Sequence, residues 1–176
     1  MAGITLNQIK NIGDVAHRTR WNLIISSFPN VVPYASDELN IRCISSGVPR
    51  LVGTTTEIKI RGLQTNQNGI FAPEGPITFT FIETVNNMVS TFLKSWRDAT
   101  WNQKTGASMP KTDLEAVIIL QLLNNSNDPR WQYELKGCIL ESYDPTGGDL
   151  DGESIEGQRP SITVRYDYFE DGSVVA

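Results

Sequence analysis

Apolar residues recur at intervals of three and four positions in one stretch of the chain, residues 84–101 (TVNNMVSTFLKSWRDATW). This spacing predicts an amphipathic α-helix with one face buried against a sheet or another helix. Thr84 or Asn86 is the predicted N-cap, because a side-chain oxygen there can accept a hydrogen bond from the first backbone N–H groups. The predicted core face consists of Val85, Met88, Val89, Phe92, Leu93 and Trp96.

Most of the remaining chain alternates between apolar and polar residues, which is the period of a β-strand. The stretch 114–123 is instead apolar on both faces and rich in β-branched residues, so it predicts an interior strand. A hairpin partner returns from Trp131 and slips in phase at Gly137, where we predict a β-bulge. About seven strands are expected: one from Trp21, then 39–43, 54–61, 77–81, 114–123, 131–141 and 161–169.

Three segments lack a clear period. Residues 62–76 form a predicted long loop with the apolar pair Ile70 and Phe71, which either meets a partner or folds back on its own core. Residues 144–158 form a predicted acidic, glycine-rich loop. Residues 1–19 form either a short amphipathic turn or an N-terminal arm that docks on a neighbour, and its apolar residues include Ile4, Leu6 and Ile9.

Length and composition predict a single domain over residues 1–176. The formal net charge of −5 argues against a protein that wraps the phosphate backbone of a nucleic acid. Cys43 and Cys138 are expected to be buried free thiols. No apolar segment is long enough to span a membrane, and the N-terminus lacks the features of a signal peptide, so we expect folding in a cytosol.

The residues needed for catalysis are scarce. His17 is the one histidine and lies in the segment without a period, so no nucleophile has a good general base. Four carboxylates at Asp149, Asp151, Glu153 and Glu156 suggest a calcium loop, but Ser154 stands where that motif requires glycine. We therefore expect a solvated acidic loop, no cofactor, no metal and no enzymatic activity.

Seven segments, taken in order, resemble the tail tube proteins of contractile bacteriophages. They are RWNLIISSF, IRCISSGVPR, TTTEIKIRG, ITFTFIE, FLKSWRDATW, WQYELKGC and ITVRYDYFE, and the resemblance spans roughly residues 18 to 171. The chain departs from the family pattern after the Lys136-Gly137 step, where Cys138 stands in place of a proline, and in a longer 62–76 loop. A fainter resemblance extends to the inner tubes of type VI secretion and related contractile injection systems.

The resemblance implies a β-sandwich or barrel with one packed helix, and hexameric rings that stack into a hollow tube inside a sheath. Two hairpins per subunit, 39–45 with 54–62 and 114–123 with 131–141, are expected to complete a barrel between subunits. The candidates for the lumen are Asn40, Arg42, Glu57, Lys59, Arg61, Glu115, Gln121, Gln132, Glu134 and Lys136. The candidates for contacts between subunits or rings are Ile70, Phe71, Ile4, Leu6 and Ile9.

By the same resemblance the partners are other copies of the chain, the tail sheath, the baseplate and the tape-measure protein. DNA is expected to pass through an acidic or near-neutral lumen without specific binding, in a virion tail assembled in the host cytoplasm. Two alternatives stay open. One is a baseplate tube initiator or tail terminator of the same fold, which forms a single ring. The other is a monomeric β-sandwich module that binds a glycan or a protein.

Overall fold

The computed structural model describes residues 11, 16–27, 36–149, 153 and 156–174, which form nine strands and three helices. The prediction of a mainly β fold with a packed helix is confirmed. The candidates Ile4, Leu6, Ile9 and Asp151 lie outside the described residues. The elements in chain order are β1 Trp21–Ser27, α1 Ser36–Arg42, β2 Cys43–Ser46, β3 Leu51–Ile60, β4 Leu63–Pro73, β5 Ile77–Phe81, α2 Met88–Thr100, α3 Lys111–Leu114, β6 Ala116–Leu123, β7 Pro129–Asp144, β8 Ser161–Arg165 and β9 Tyr168–Ser173.

The long strand β7 connects two halves of one antiparallel sheet. Its first half lies between β6 and β9, and β6 in turn pairs with β1. Its second half pairs with β8, which is followed by β5 and β2. The bulge predicted at Gly137 is confirmed: Ile118 lies opposite Leu135 but Ala116 opposite Cys138, so β7 carries one extra residue. Gly137 has φ 67°, and a side chain there would collide with the carboxylate of Asp167.

The core lies between the inner face of this sheet and α2. Alternate residues of the strands point into it, among them Leu23 and Ile25 of β1 and Phe79 and Phe81 of β5. From α2, Val89, Phe92, Leu93 and Trp96 are buried and Met88 is half-buried, as predicted. Both cysteines are buried free thiols, and burial raises the pKa of each to about 12.

The predicted start of the helix was wrong. Val85 is 100% exposed and belongs to a turn, because α2 begins at Met88. Neither Thr84 nor Asn86 caps it. The Glu83 carboxylate does so, accepting hydrogen bonds from the Ser90 N–H at 2.6 Å, the Ser90 hydroxyl at 2.6 Å and the Val89 N–H at 3.3 Å. Since Glu83 follows β5 closely, this cap fixes the helix to the end of a core strand.

Removing the Glu83 cap is expected to destabilise the protein in a pH-dependent way. Burial raises the pKa of Glu83, but the hydrogen bonds from Ser90, Thr84 and Val89 together outweigh it, and the pKa is lowered from 4.5. The stabilisation is therefore complete above the unfolded-state pKa and is lost as the pH falls through the folded-state value. We expect Glu83→Ala to cost about 0.5–2 kcal/mol near neutral pH.

Urea unfolding at neutral and at strongly acidic pH measures this effect. The difference between Glu83→Ala and wild type should shrink in acid, because the protonated carboxyl no longer caps the helix. Asn86→Ala is the matched control, since the sequence pattern favoured Asn86 as a cap and the structure does not. A larger loss of stability from Asn86→Ala than from Glu83→Ala would contradict this interpretation of the helix start.

The strand predicted over residues 39–43 is mostly helix. Residues 36–42 form α1, and the strand begins only at Cys43. Asp37 and Glu38 occupy the first turn of α1, and Glu38 pairs with Arg42 at 3.1 Å, one turn later. Leu39 is buried while Ile41 is exposed, so the apolar residues at alternate positions do not share a face.

The final predicted strand is broken in two. β8 and β9 both pair with β7, one on each side of its bulge, and residues 166–167 between them follow the bend. The alternation from Ile162 predicts Tyr166 and Tyr168 on one face of the strand, but Tyr166 is buried and Tyr168 is exposed. The alternation of inward and outward side chains starts again after the bend. For this reason the regular pattern across 161–169 did not reveal the break between β8 and β9.

Candidate assembly surfaces

The predicted 62–76 loop is instead the second strand of a projecting hairpin. β3 pairs with β4 from Leu51 opposite Pro73 to Ile60 opposite Leu63, and we call residues 51–73 the ribbon. Arg61 and Gly62 connect the strands with φ of 49° and 83°, the conformation of a two-residue type I′ turn. With ten residues in β3, the ribbon is roughly 30 Å long.

The ribbon continues a pair of strands from the body. β2 pairs with β5, and the Gly47 N–H then donates to the Thr78 carbonyl at 3.1 Å. Next, the Glu74 N–H donates to the Arg50 carbonyl at 2.8 Å, immediately before Leu51 meets Pro73. The base of the ribbon is thus joined to the core sheet by backbone hydrogen bonds.

Almost the whole ribbon is exposed, and only Ile58, Gly69 and Pro73 are half-buried. An isolated two-stranded hairpin is marginally stable in water, and clustered exposed apolar residues mark interaction surfaces. The ribbon is therefore a candidate surface for contact with another chain. Its exposed large apolar side chains are Leu51, Val52, Ile60, Leu63, Ile70 and Phe71.

Ile70 and Phe71 lie near the base of the ribbon, not at the tip of a loop as predicted. They are 80% and 64% exposed. The Phe71 ring lies over Gly53 on the other strand, where a Cβ atom would come within 2.7 Å of the ring. The Thr54 hydroxyl accepts a hydrogen bond from the Ile70 N–H at 3.1 Å. This bond lies at a bulge that interrupts the regular pairing of β3 with β4. Both side chains are thus held outward on ordered backbone.

One face of the outer ribbon is polar. Glu57 and Lys59 share it and form an ion pair of 2.6 Å, and Arg61 lies in the turn at the tip. Pairing places residues 64, 66 and 68 of β4, a glutamine and two asparagines, on the same face. The opposite face carries Ile58, Ile60 and Leu63. The ribbon is therefore amphipathic, as a wall between a core and water requires.

A second polar surface lies on the outer face of β1, β6, β7 and β9. The structure brings four of the predicted lumen residues together there: Gln121 lies opposite Gln132, and Glu134 and Lys136 follow on β7. Asn22 of β1 extends the row beside Gln121. Glu115 precedes β6 and faces Lys111 at 3.8 Å. It is not part of this row.

Lys136 is at the centre of a small charged cluster on this surface. Its Nζ lies 3.0 Å from Glu170 and 3.7 Å from Glu134, and 6.0 Å from the centroid of the Tyr168 ring. The hydrogen bond to Glu170 raises the pKa of Lys136. Sequence reasoning missed Glu170 and Tyr168, because the bend before β9 reverses the faces that a continuous strand would give them.

Two further candidates for the lumen, Asn40 and Arg42, make hydrogen bonds within the subunit. The Asn40 Oδ1 accepts a hydrogen bond from the Leu23 N–H at 2.8 Å, which covers the open edge of β1 with α1. Arg42 pairs with Glu38 and donates to the Thr84 hydroxyl at 2.7 Å. The hairpin predicted between 39–45 and 54–62 was wrong, since β2 pairs with β5 and β3 with β4.

A groove of about 380 Å³ opens between residues 16–18, residues 44–48 and the adjoining ends of β6 and β7. Its floor is apolar and includes Trp21, Leu122 and Tyr133. His17, Arg18 and Arg130 are its titratable side chains other than Tyr133, and no carboxylate lines it. We call this feature the end groove.

The described part of the chain offers little chemistry beyond these surfaces. No group of three or more His, Cys, Asp or Glu residues within it could hold a metal ion. Among the described residues, no helix combines the length and apolar character needed to cross a membrane.

No protein-family model matches the chain, and no curated protein matches it in sequence. Solved structures do match. One is the tube terminating cap of the anti-feeding prophage, with a TM-score of 0.63, 15% identity and coverage of 94% of this chain and 99% of that chain. A chain of the PVC extracellular contractile injection system, from its sheath-tube complex, has a TM-score of 0.63, 14% identity and coverage of 98% and 100%.

The sheath/tube terminator structure of the PVC system gives a TM-score of 0.63 at 13% identity, over 92% of this chain and 99% of that chain. At such identities the likeness shows the fold. It confirms the resemblance in fold to the tubes of contractile systems, over almost the full length of each chain.

Proposed function

We propose that this protein is a structural subunit of a contractile tail or injection system that assembles into rings and, by stacking of the rings, into a tube. Its fold is that of components of tube-cap, sheath-tube and terminator structures. By that likeness its partners are further copies of itself, a sheath and a baseplate. The finer proposal is a phage tail tube with hexameric rings, through which the genome passes, in contact with a tape-measure protein.

The ribbon is the observation that carries this proposal. A two-stranded hairpin that is roughly 30 Å long and exposes six large apolar side chains is marginally stable without a partner. A monomeric binding module has no use for such a hairpin. A ring supplies the missing partner, because each ribbon can pack on the next subunit and the last on the first. Closure of the ring also removes exposed strand edges.

The hairpins β3–β4 and β6–β7 are the proposed contributions of each subunit to the barrel around the channel. Their polar faces place Glu57 and Lys59, and Gln121, Gln132, Glu134 and Lys136, toward water. The charges nearly cancel within ion pairs, and Glu170 adds a further carboxylate. Such a lining does not grip the phosphate backbone, whose binding needs clustered cations. A strongly basic channel in a structure of the tube would contradict this lining.

A terminator or cap is the second candidate function. The two structures described as a tube terminating cap and a tube terminator match as well as the sheath-tube chain, each with a TM-score of 0.63. A terminator ends a tube, so it forms one ring and then stops.

Negative-stain electron microscopy of the purified protein, over a range of protein and salt concentrations, tests both proposals. Long hollow tubes are the expected result for a tube subunit, and isolated rings for a terminator. Compact monomers under every condition would overturn both and favour a binding module. Analytical ultracentrifugation on the same samples separates single rings from short stacks.

A further inference from the structure

We infer that the tip of the ribbon of one subunit docks on an exposed apolar patch at the far end of the β2–β5 strand pair of a neighbouring copy. This inference rests on the proposed function and names the surface that receives the ribbon. The patch consists of Ile41, Ile82 and Val85, and we call it the distal patch. The occupant is a second copy of the chain, because the tip of the ribbon is complementary to the patch in both apolar character and charge.

The three side chains of the distal patch are all exposed, and Val85 is completely so. Arg42 joins the segments that carry them. Its backbone carbonyl accepts a hydrogen bond from the Ile82 N–H at 2.8 Å, and its guanidinium donates to the Thr84 hydroxyl at 2.7 Å. Ile41 precedes Arg42 in the chain and Val85 follows Thr84. The patch is therefore one local surface, and clustered exposed apolar residues mark sites of interaction.

The turn that carries Val85 is ordered. The Asn87 N–H donates to the Thr84 carbonyl at 2.8 Å, which closes a turn around residues 85 and 86. The Glu83 N–H donates to the Gln158 carbonyl at 3.0 Å, immediately before this turn. Val85 thus stands fully in water on a fixed backbone, and its side chain gains burial only from another chain.

The tip of the ribbon carries the matching group of residues. Ile60 and Leu63 lie opposite each other in the last pair before the turn and are 64% and 79% exposed. Arg61 lies in the turn itself, and none of the ten ion pairs of the described residues includes it. The tip therefore offers two aliphatic side chains beside a guanidinium.

Asp37 supplies the opposite charge beside the distal patch. It precedes Ile41 by four residues in α1, so the two residues are neighbours on the surface of the helix. Both are exposed. Asp37 likewise takes part in none of the ion pairs within the described part of the chain. An arginine that pairs with a carboxylate at the edge of an apolar contact is partly shielded from water, which strengthens the pair and fixes its orientation.

The ribbon tip and the distal patch lie at opposite ends of one continuous pair of strands. Cys43 lies opposite Phe81 beside the patch, and backbone hydrogen bonds at Gly47 and Arg50 continue the pairing into the ribbon. At about 3.3 Å per residue, the distance from Cys43 to Ile60 is roughly 40–55 Å. The ribbon therefore cannot reach its own distal patch. A contact between the two surfaces is head-to-tail, and such contacts build closed rings or continuing stacks.

Disulfide cross-linking tests the contact directly. Leu63→Cys with Val85→Cys in one chain should give a ladder of covalent multimers on a non-reducing gel after the assembled protein is oxidised with diamide. Cys43 and Cys138 are buried, and burial raises the pKa of each to about 12, so they react slowly. Leu63→Cys with Lys104→Cys is the matched control, since Lys104 is equally exposed but lies away from the patch. It should give at least tenfold fewer multimers.

The length of the ladder assigns the contact to a place in the assembly. A ladder that ends at one size indicates that the ribbon links neighbours within a ring. A ladder without an end indicates that it links successive rings. Both results support docking of the ribbon tip on the distal patch, because only that contact brings the two introduced thiols together.

Charge exchange is an independent test. Arg61→Asp and Asp37→Arg should each raise the lowest protein concentration at which assemblies sediment by roughly tenfold or more, as loss of a charge pair at an interface does. The two substitutions together should restore most of the assembly, because they recreate the pair with its signs exchanged. Asp113→Arg is the matched control, since Asp113 is also exposed in the first turn of a short helix. It should assemble as wild type does.

Circular dichroism checks that each variant is folded, and electron microscopy shows whether rings are present. Two results would overturn the inference and leave the proposed function intact. One is normal assembly of both single charge variants. The other is the absence of covalent multimers from Leu63→Cys with Val85→Cys although its rings are visible. A wild type that forms neither rings nor tubes would instead reject the proposed function.

Discussion

Phe71→Asp is expected to abolish assembly while the subunit stays folded. The Phe71 side chain contributes little to the stability of the isolated subunit, because it is 64% exposed on a ribbon that lies outside the core. In the proposed ring it would become a buried aromatic anchor, and loss of such a residue costs about 2–4 kcal/mol at a protein interface. That corresponds to a roughly 30- to 700-fold weaker association at each contact, and the buried carboxylate adds a desolvation cost.

The measurement is the lowest protein concentration at which rings sediment, compared between variants whose urea unfolding curves agree. Asn68→Asp is the matched control, since it introduces the same charge on the same strand at an exposed polar position. Phe71→Leu keeps an apolar contact and should retain most of the assembly. Normal assembly of Phe71→Asp would show that the base of the ribbon is not part of the interface.

Trp96→Ala has the largest expected effect on folding. Trp96 is 0% exposed and lies at the centre of the core face of α2. The centroid of its ring is 6.2 Å from the centroid of the Phe92 ring. Truncating a buried tryptophan costs about 3–5 kcal/mol through lost burial and the cavity left behind. That is a large part of the roughly 5–15 kcal/mol that stabilises a typical domain.

Urea unfolding followed by circular dichroism measures the loss. Trp101→Ala is the control, because Trp101 is 53% exposed just beyond the end of the same helix. We expect it to change the stability by less than about 1 kcal/mol. The loss of stability in Trp96→Phe should lie between those of Trp96→Ala and Trp101→Ala. A Trp96→Ala protein within about 1 kcal/mol of wild type would show that α2 does not anchor the core.

Sequence reasoning succeeded where a segment obeys a single period. Ile77, Phe79 and Phe81 alternate without interruption, and Phe92, Leu93 and Trp96 share one helical face, so burial followed directly from spacing. It failed at α1, where Leu39, Ile41 and Cys43 imitate a strand. The acidic pair at 37–38, with Arg42 one turn later, was the available signal for a helix.

The second strand of the ribbon was missed for a different reason. Residues 62–76 contain many glycine, asparagine and proline residues, and these suggest a loop. A two-residue turn at Arg61-Gly62 followed by Leu63 was the signal for a hairpin, since glycine accepts positive φ. The amphipathic character of the ribbon then follows from its register. Its partner does not, because no contact within one chain reveals what covers it.

The end groove could not be foreseen from spacing at all. Arg18 and Arg130 are more than a hundred positions apart in the sequence, and they meet only because β1 pairs with β6 and β6 with β7. The cluster around Lys136 depends in the same way on pairing with β9. Sites built across a sheet require the topology first.

The pairing of β1 with β6 also sets an order of events during synthesis. Trp21 lies opposite Leu122, so β1 leaves the ribosome roughly a hundred residues, or about 5–20 s, before its partner strand is complete. The ribbon has only local contacts and can close within about 1–10 μs of emerging. A nascent chain therefore exposes the apolar side chains of the ribbon well before its body can fold. The body cannot be completed until β8 and β9, the last strands of the chain, have also been synthesised and paired with β7.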